Sequence, residues 1–189
     1  MKMEELFDDD GYSDKLILVQ QNLRTMPTQI VQRYADSAEH LDLSHNCLKD
    51  LSWLAEFEQL RYLVLDSNRL HESQLRTVKT PLPQLEVLML NKNEFRDLRT
   101  TIMLIRRHFP NLQYLSLHGN PICPDGLNLQ PFSSYLQYDY KYYSNLIAQS
   151  FSKLKFLDHG LVQRTYDYES FPTANYDRTD NTLVKTTRL

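Results

Sequence analysis

Cysteine is scarce in this sequence, which holds only Cys47 and Cys123. Each lies beside a different asparagine turn, so neither a disulfide framework nor a metal-binding spacing is expected. Glycine is also scarce, at four residues, and none of them builds a phosphate-cradling loop. There is no basic surplus: the net charge is −3, which argues against non-specific binding to nucleic acid. No apolar run approaches the roughly 20 residues of a membrane span. The start, "MEELFDDD", is acidic and lacks the apolar stretch of a secretory signal, and no N-x-S/T acceptor occurs. The expectation is a reduced, cytoplasmic, monomeric protein. Hydrophobic residues reach 41%, enough for one globular core.

What the chain does have is leucine in a fixed rhythm. "LQYLSLHGNPI" places Asn120 three residues after a pair of alternating leucines. The template L-x-x-L-x-L-x-x-N-x-L recurs. Leu60, Leu63, Leu65, Asn68 and Leu70 fit it, as do Leu85, Leu88, Leu90, Asn93 and Phe95. Ala38, Leu41, Leu43, Asn46 and Leu48 fit too, and Leu16, Leu18, Gln21 and Leu23 fit more loosely. From Gln21 to Asn46, Asn68, Asn93 and Asn120 the slot advances by 25, 22, 25 and 27 residues. Such periods are those of leucine-rich repeats, about 20–29 residues. Alternate leucines line one face of a short strand. One repeat cannot bury that face alone, so neighbours stack into a continuous core. The inward asparagine offers donors and an acceptor to the turn's main chain. Asn120 is therefore read as structural.

The fold class is α/β, a solenoid of about five leucine-rich repeats with a C-terminal helix plus half-repeat cap. Three segments are expected: a flexible acidic arm over 1–14, the repeat domain with its cap over 15–162, and a disordered tail over 163–189. Between strands, "RTMPTQIVQRYA" and "SWLAEFEQ" read as short convex helices or turns, with Ile30, Val31, Leu54 and Phe57 facing in. "RDLRTTIMLIRRHFPN" reads as a better helix, capped by Thr100 or Thr101 and stopped by Pro110. Leu98, Ile102, Ile105 and Phe109 share its inner face. Leu136, Tyr140, Tyr143 and Ile147 mark one face of a later helix. "LKFLD" repeats only the strand half of the template and closes the stack.

The series "LDLSHN", "LVLDSN", "LMLNKN", "YLSLHGN", then "CP", "DYKYY" and "LKFLD", resembles the leucine-rich melanocyte differentiation-associated family from about Ala38 to Val162. The "GNPICP" turn and the spacing of "DYKYY" to "LKFLD" are its more specific parts. The resemblance implies a non-enzymatic protein-binding adaptor in endosomal or lysosome-related (melanosome-like) trafficking, with a Rab-type GTPase as a partner and a second partner on the tail. Similar cap halves occur in the spliceosomal leucine-rich subunit. The alternative is therefore a scaffold in an RNA–protein or other multiprotein assembly. Secreted relatives carry cysteine-rich caps, and this chain has none.

The candidate binding residues lie beside the strand leucines, where side chains point into the hollow of the solenoid. Tyr62, Val64, Val87, Met89, Tyr114 and Phe156 form a stripe too apolar for bare solvent. Other groupings carry less. His40, His45 and His118 with Asp42 or Asp66 lack metal-ligand spacing. Ser44, His118 and Asp66 lack a nucleophile turn. No catalytic residue, cofactor or metal is expected. Arg106, Arg107 and His108 read as a solvated helix face. The Tyr168–Phe171 match to a tyrosine sorting signal reads as chance.

Overall fold

The computed structural model describes residues 14–124 and 134–164, with side chains over 14–124 and 140–164. Residues 1–13 of the expected arm and the part of the expected tail beyond 164, with Tyr168, lie outside the described residues. Six short strands stack in chain order: β1 (Lys15–Ile17), β2 (His40–Asp42), β3 (Tyr62–Val64), β4 (Val87–Met89), β5 (Tyr114–Ser116) and β6 (Phe156–Leu157). Each pairs in parallel with the next, and β7 (Gly160–Leu161) turns back antiparallel on β6. The central leucines stand in one register row, Leu16, Leu41, Leu63, Leu88, Leu115 and Leu157. Leu41, Leu63, Leu88 and Leu115 are fully buried, and so are Leu43, Leu65, Leu90 and Leu117 two residues on. Burying each such side chain contributes about 1.5–3 kcal/mol.

The convex side is built from brief elements. α1 (Thr28–Tyr34) follows Pro27 and buries Ile30 and Tyr34, with Val31 partly covered. A single 3₁₀ turn over Ser52–Glu56 buries Trp53 and Leu54, and Phe57 follows it inward. α2 (Glu72–Leu75) is one turn, closed at its start by His71 and Gln74 in a reciprocal capping box. α3 (Leu98–His108) is longest before the cap. Its N-cap is Asp97, whose carboxylate accepts from the Thr100 N–H, so neither Thr100 nor Thr101 caps it. An ionised carboxylate is a stronger acceptor than a hydroxyl and also suits the positive end of the helix. Thr101 turns inward instead and is fully buried.

His108 also departs from expectation. It is buried, not part of a solvated face, because it stands one helical turn from Ile105 on the inner side. Arg106 and Arg107 are exposed. Burial, and then the charge of Arg107, pull the ionisation of His108 below its ordinary value.

The asparagine ladder runs through the four turns that follow β2, β3, β4 and β5. Asn93 accepts from the N–H groups of Asn68 and Leu70, and it donates to the carbonyls of Leu65, Leu90 and Asn91. Asn46 likewise accepts from Gln21 and Leu23 and donates to Leu18 and Leu43. Asn68 and Asn120 each reach back one repeat as well, to Leu43 and Leu90. The residue before each rung has a positive φ: Gln20, His45, Ser67, Lys92 and Gly119. Only the last of these is glycine, the residue to which that region is open without steric cost.

α4 (Ser134–Ser150) and the β6–β7 hairpin close the open end. Tyr143, Ile147 and Phe151 are buried against Leu154 and Leu157. The Arg164 guanidinium donates to the carbonyls of Phe151, Ser152 and Leu154, so the cap's hydrogen bonding extends two residues past Val162.

Candidate protein-interaction surface

Strand pairing decides which side chains share the hollow. The register aligns Tyr62 with Val87, Val87 with Tyr114, and Tyr114 with Phe156. A second row aligns Val64 with Met89 and then Ser116. All six candidate residues therefore lie on the same face of the sheet, opposite the leucines. Tyr62 and Phe156 keep 41% and 43% of their surface in solvent, high for such side chains. Val64, Val87, Met89 and Tyr114 are half-buried.

The first row extends beyond the six in both directions. His40 pairs with Tyr62 and stacks on its ring at 5.6 Å. Leu161 pairs with Phe156 across the terminal hairpin and is 72% exposed. Ile17, in the second row, is 59% exposed. Ile17 occupies the outward slot of the first strand. Leu161 could not be placed, because the sequence does not reveal that β7 folds back.

Tyr114 has a second duty. Its hydroxyl donates to the Asp158 carbonyl at 2.9 Å, and its ring lies 6.3 Å from that of Phe156. It ties the aromatic row to the cap.

One border of the hollow is polar and internally wired. Asp42 accepts from the Ser44 hydroxyl and N–H. Asp66 accepts from the Asn91 N–H and side-chain amide, and Asn91 accepts in turn from the Ser116 hydroxyl and the His118 N–H. Burial raises the ionisation of Asp66 above its ordinary value, against the opposing pull of the Asn91 bonds. Ser44 and Asp66 are thus engaged with different partners, and the residues Ser44, His118 and Asp66 are not assembled as a nucleophile, base and orienter. The three histidines do not gather either: His40 is on β2, exposed His45 is in the turn after it, and His118 follows β5.

Metal-ligating chemistry does converge elsewhere. No ligand spacing exists along the chain, yet the β6–β7 hairpin folds Asp158 back onto the last full repeat. There His118, Cys123 and Asp158 each bring a donor atom within 4.8 Å of the others. The contact spans 35 to 40 residues of sequence, which is why local spacing misses it.

Parallel strands in strict order, a buried asparagine in four successive turns and brief convex elements define a leucine-rich repeat protein. The chain belongs to that family: the leucine-rich repeat model matches residues 14–70 and 58–122, and a second leucine-rich repeat model matches 111–134. It is similar to the human (Homo sapiens) leucine-rich melanocyte differentiation-associated protein, with 37% identity over 117 residues. That match covers 61% of this chain and 56% of the relative, so it spans little more than half the relative's length. Among solved structures, a chain of the Drosophila melanogaster SNF/U2A' complex superposes with a TM-score of 0.57 at 24% identity, covering 79% of this chain and 75% of that one. This second likeness concerns the fold alone. No helix among the described residues is long and apolar enough to cross a membrane.

Proposed function

We propose that this protein is a non-enzymatic adaptor that binds a protein partner in its hollow, on Tyr62, Val64, Val87, Met89, Tyr114 and Phe156. The observation carrying this reading is the register row Tyr62–Val87–Tyr114–Phe156, with solvent over its two ends. Large aromatics on a rigid sheet lose little conformational freedom when a partner covers them, and such residues dominate interface energies. The finer reading is an adaptor in endosomal or lysosome-related trafficking with a Rab-type GTPase as the partner. It is supported by the similarity to a protein named for melanocyte differentiation. A second partner on the C-terminal tail belongs to the same reading.

The test is affinity capture from cells, followed by calorimetry with the purified partner. Tyr62→Ala should weaken binding at least about tenfold, equivalent to 1.4 kcal/mol. An equal affinity for wild type and Tyr62→Ala would remove the hollow as the site. Capture of no GTPase would remove the finer reading alone.

A further inference from the structure

We infer that His118, Cys123 and Asp158 form a binding site for a divalent transition-metal ion of the zinc class, at the junction between the last full repeat and the cap. An imidazole, a thiolate and a carboxylate are the three donor types zinc takes, at about 2.0–2.3 Å. In a tetrahedral complex with such bonds, neighbouring donor atoms stand about 3.3–3.8 Å apart. Cys123 Sγ and Asp158 Oδ2 are 3.8 Å apart, and all three residues offer atoms within 4.8 Å of one another. A closure of under 1.5 Å, within side-chain rotation, would bring them to ligand spacing.

A fourth donor is adjacent. His159 Nδ1 is 3.4 Å from His118 Nε2, and the two rings are stacked. His159 is exposed, so its ring can rotate toward the ion without disturbing the core. His118 is half-buried, whereas Cys123 and Asp158 are buried.

The surroundings already hold these groups in place. Asp158 Oδ1 accepts from the Leu117 N–H at 2.7 Å, and Oδ2 accepts from the Tyr140 hydroxyl at 3.1 Å. Such outer contacts orient metal ligands and raise affinity. The Tyr143 hydroxyl borders the same cluster. The residue is 1% exposed, and its oxygen lies beside Cys123 and Asp158. A buried O–H donor calls for an acceptor. A Cys123 thiol is a weak one, but a metal-bound thiolate is negative and accepts well. On binding, Cys123 releases its proton to solvent and its sulfur lone pair forms the bond to the ion.

The experiment uses the reduced full chain, stripped with a chelator and titrated with Co²⁺ and then Zn²⁺. One equivalent of Co²⁺ should produce a thiolate-to-cobalt charge-transfer band, and Zn²⁺ should displace it with a Kd of about 1 μM or tighter. Cys123→Ser should abolish the band, and Cys47→Ser should retain it. His118→Asn should weaken binding at least about tenfold. That variant decides the matter if Cys123→Ser does not fold. Absence of the band in wild type, its loss in Cys47→Ser, or full affinity in His118→Asn would each overturn the site. Unchanged affinity in His159→Ala would overturn the assignment of the fourth donor.

Discussion

The Tyr114 hydroxyl donates to the main-chain carbonyl of Asp158 across 44 residues of sequence. An aromatic of the hollow thus helps hold the cap onto the last repeat. Binding and stability are coupled at this one side chain. Tyr114→Phe keeps the ring and removes only the hydrogen bond. It should lower stability by about 0.5–1.5 kcal/mol and leave partner affinity nearly unchanged. Denaturant unfolding and calorimetry on the same variant check both halves. An unchanged unfolding midpoint would show that the bond contributes nothing.

The ladder asparagines should differ in weight. Asn93 accepts from two main-chain N–H groups, whereas Asn120 accepts from one, that of Phe95. Each orphaned buried donor costs about 1–3 kcal/mol. Asn93→Ala should therefore destabilise by at least about 2 kcal/mol and by more than Asn120→Ala. Urea melts of the two variants, compared at equal m-values, would show the order.

Glu72 should act as a staple on the convex side. Its Oε1 accepts from the N–H groups of Arg96 and Asp97 and from the Thr101 hydroxyl. Burial alone would raise its ionisation, but these bonds outweigh burial and hold it below its ordinary 4.5. The stabilisation is present above that value and is lost as pH falls through the lower folded-state value. Glu72→Gln should flatten the acid limb of the stability profile and lower stability at neutral pH by about 1–3 kcal/mol.

His108 should govern a different pH window. The folded chain holds it neutral, with its ionisation below the ordinary 6.5. The unfolded chain then binds the proton more readily. The stability associated with neutral His108 is full above 6.5 and declines as pH falls toward the folded-state value. His108→Phe should remove that slope. Thermal melts at stepped pH would expose a mistake if wild type and variant declined in parallel.

Gly119 has φ +70°, and a Cβ there would come within 3.1 Å of Lys92 Cγ. Gly119→Ala should cost about 1–2 kcal/mol from the left-handed backbone alone. Lys92→Gly, at the same slot of the previous repeat, should gain stability. Equal melting temperatures for Gly119→Ala and wild type would contradict the backbone account.

The repeat architecture was legible because leucine spacing and the asparagine slot are local and recur. Tyr62, Val87, Tyr114 and Phe156 could be placed in one row for the same reason: equal slots in a stacked sheet become neighbours. What escaped was set by competition or by distance. Asp97 displaced Thr100 and Thr101 as the cap because the helix begins at Leu98, and there its carboxylate accepts from the Thr100 N–H. His108 looked solvated within "IRRHF" because its charged neighbours hid its helical phase. The joining of His118, Cys123 and Asp158 depends on the closing hairpin, which no local pattern encodes.

The asparagine rungs all point one way, each satisfying the main chain of the repeat before it. On the ribosome, where the N-terminal part emerges first, this direction imposes an order of completion. A nascent repeat keeps its turn open to water until the next asparagine arrives. The Phe95 N–H, for example, waits for Asn120, and the Leu117 N–H waits for the Asp158 carboxylate. The growing chain should therefore carry one unfinished turn at its leading end at every stage, sealed last by the cap. Limited proteolysis of chains stalled after Phe95 and after Arg164 would reveal this: cleavage should concentrate in the final turn of the first and be absent there from the second.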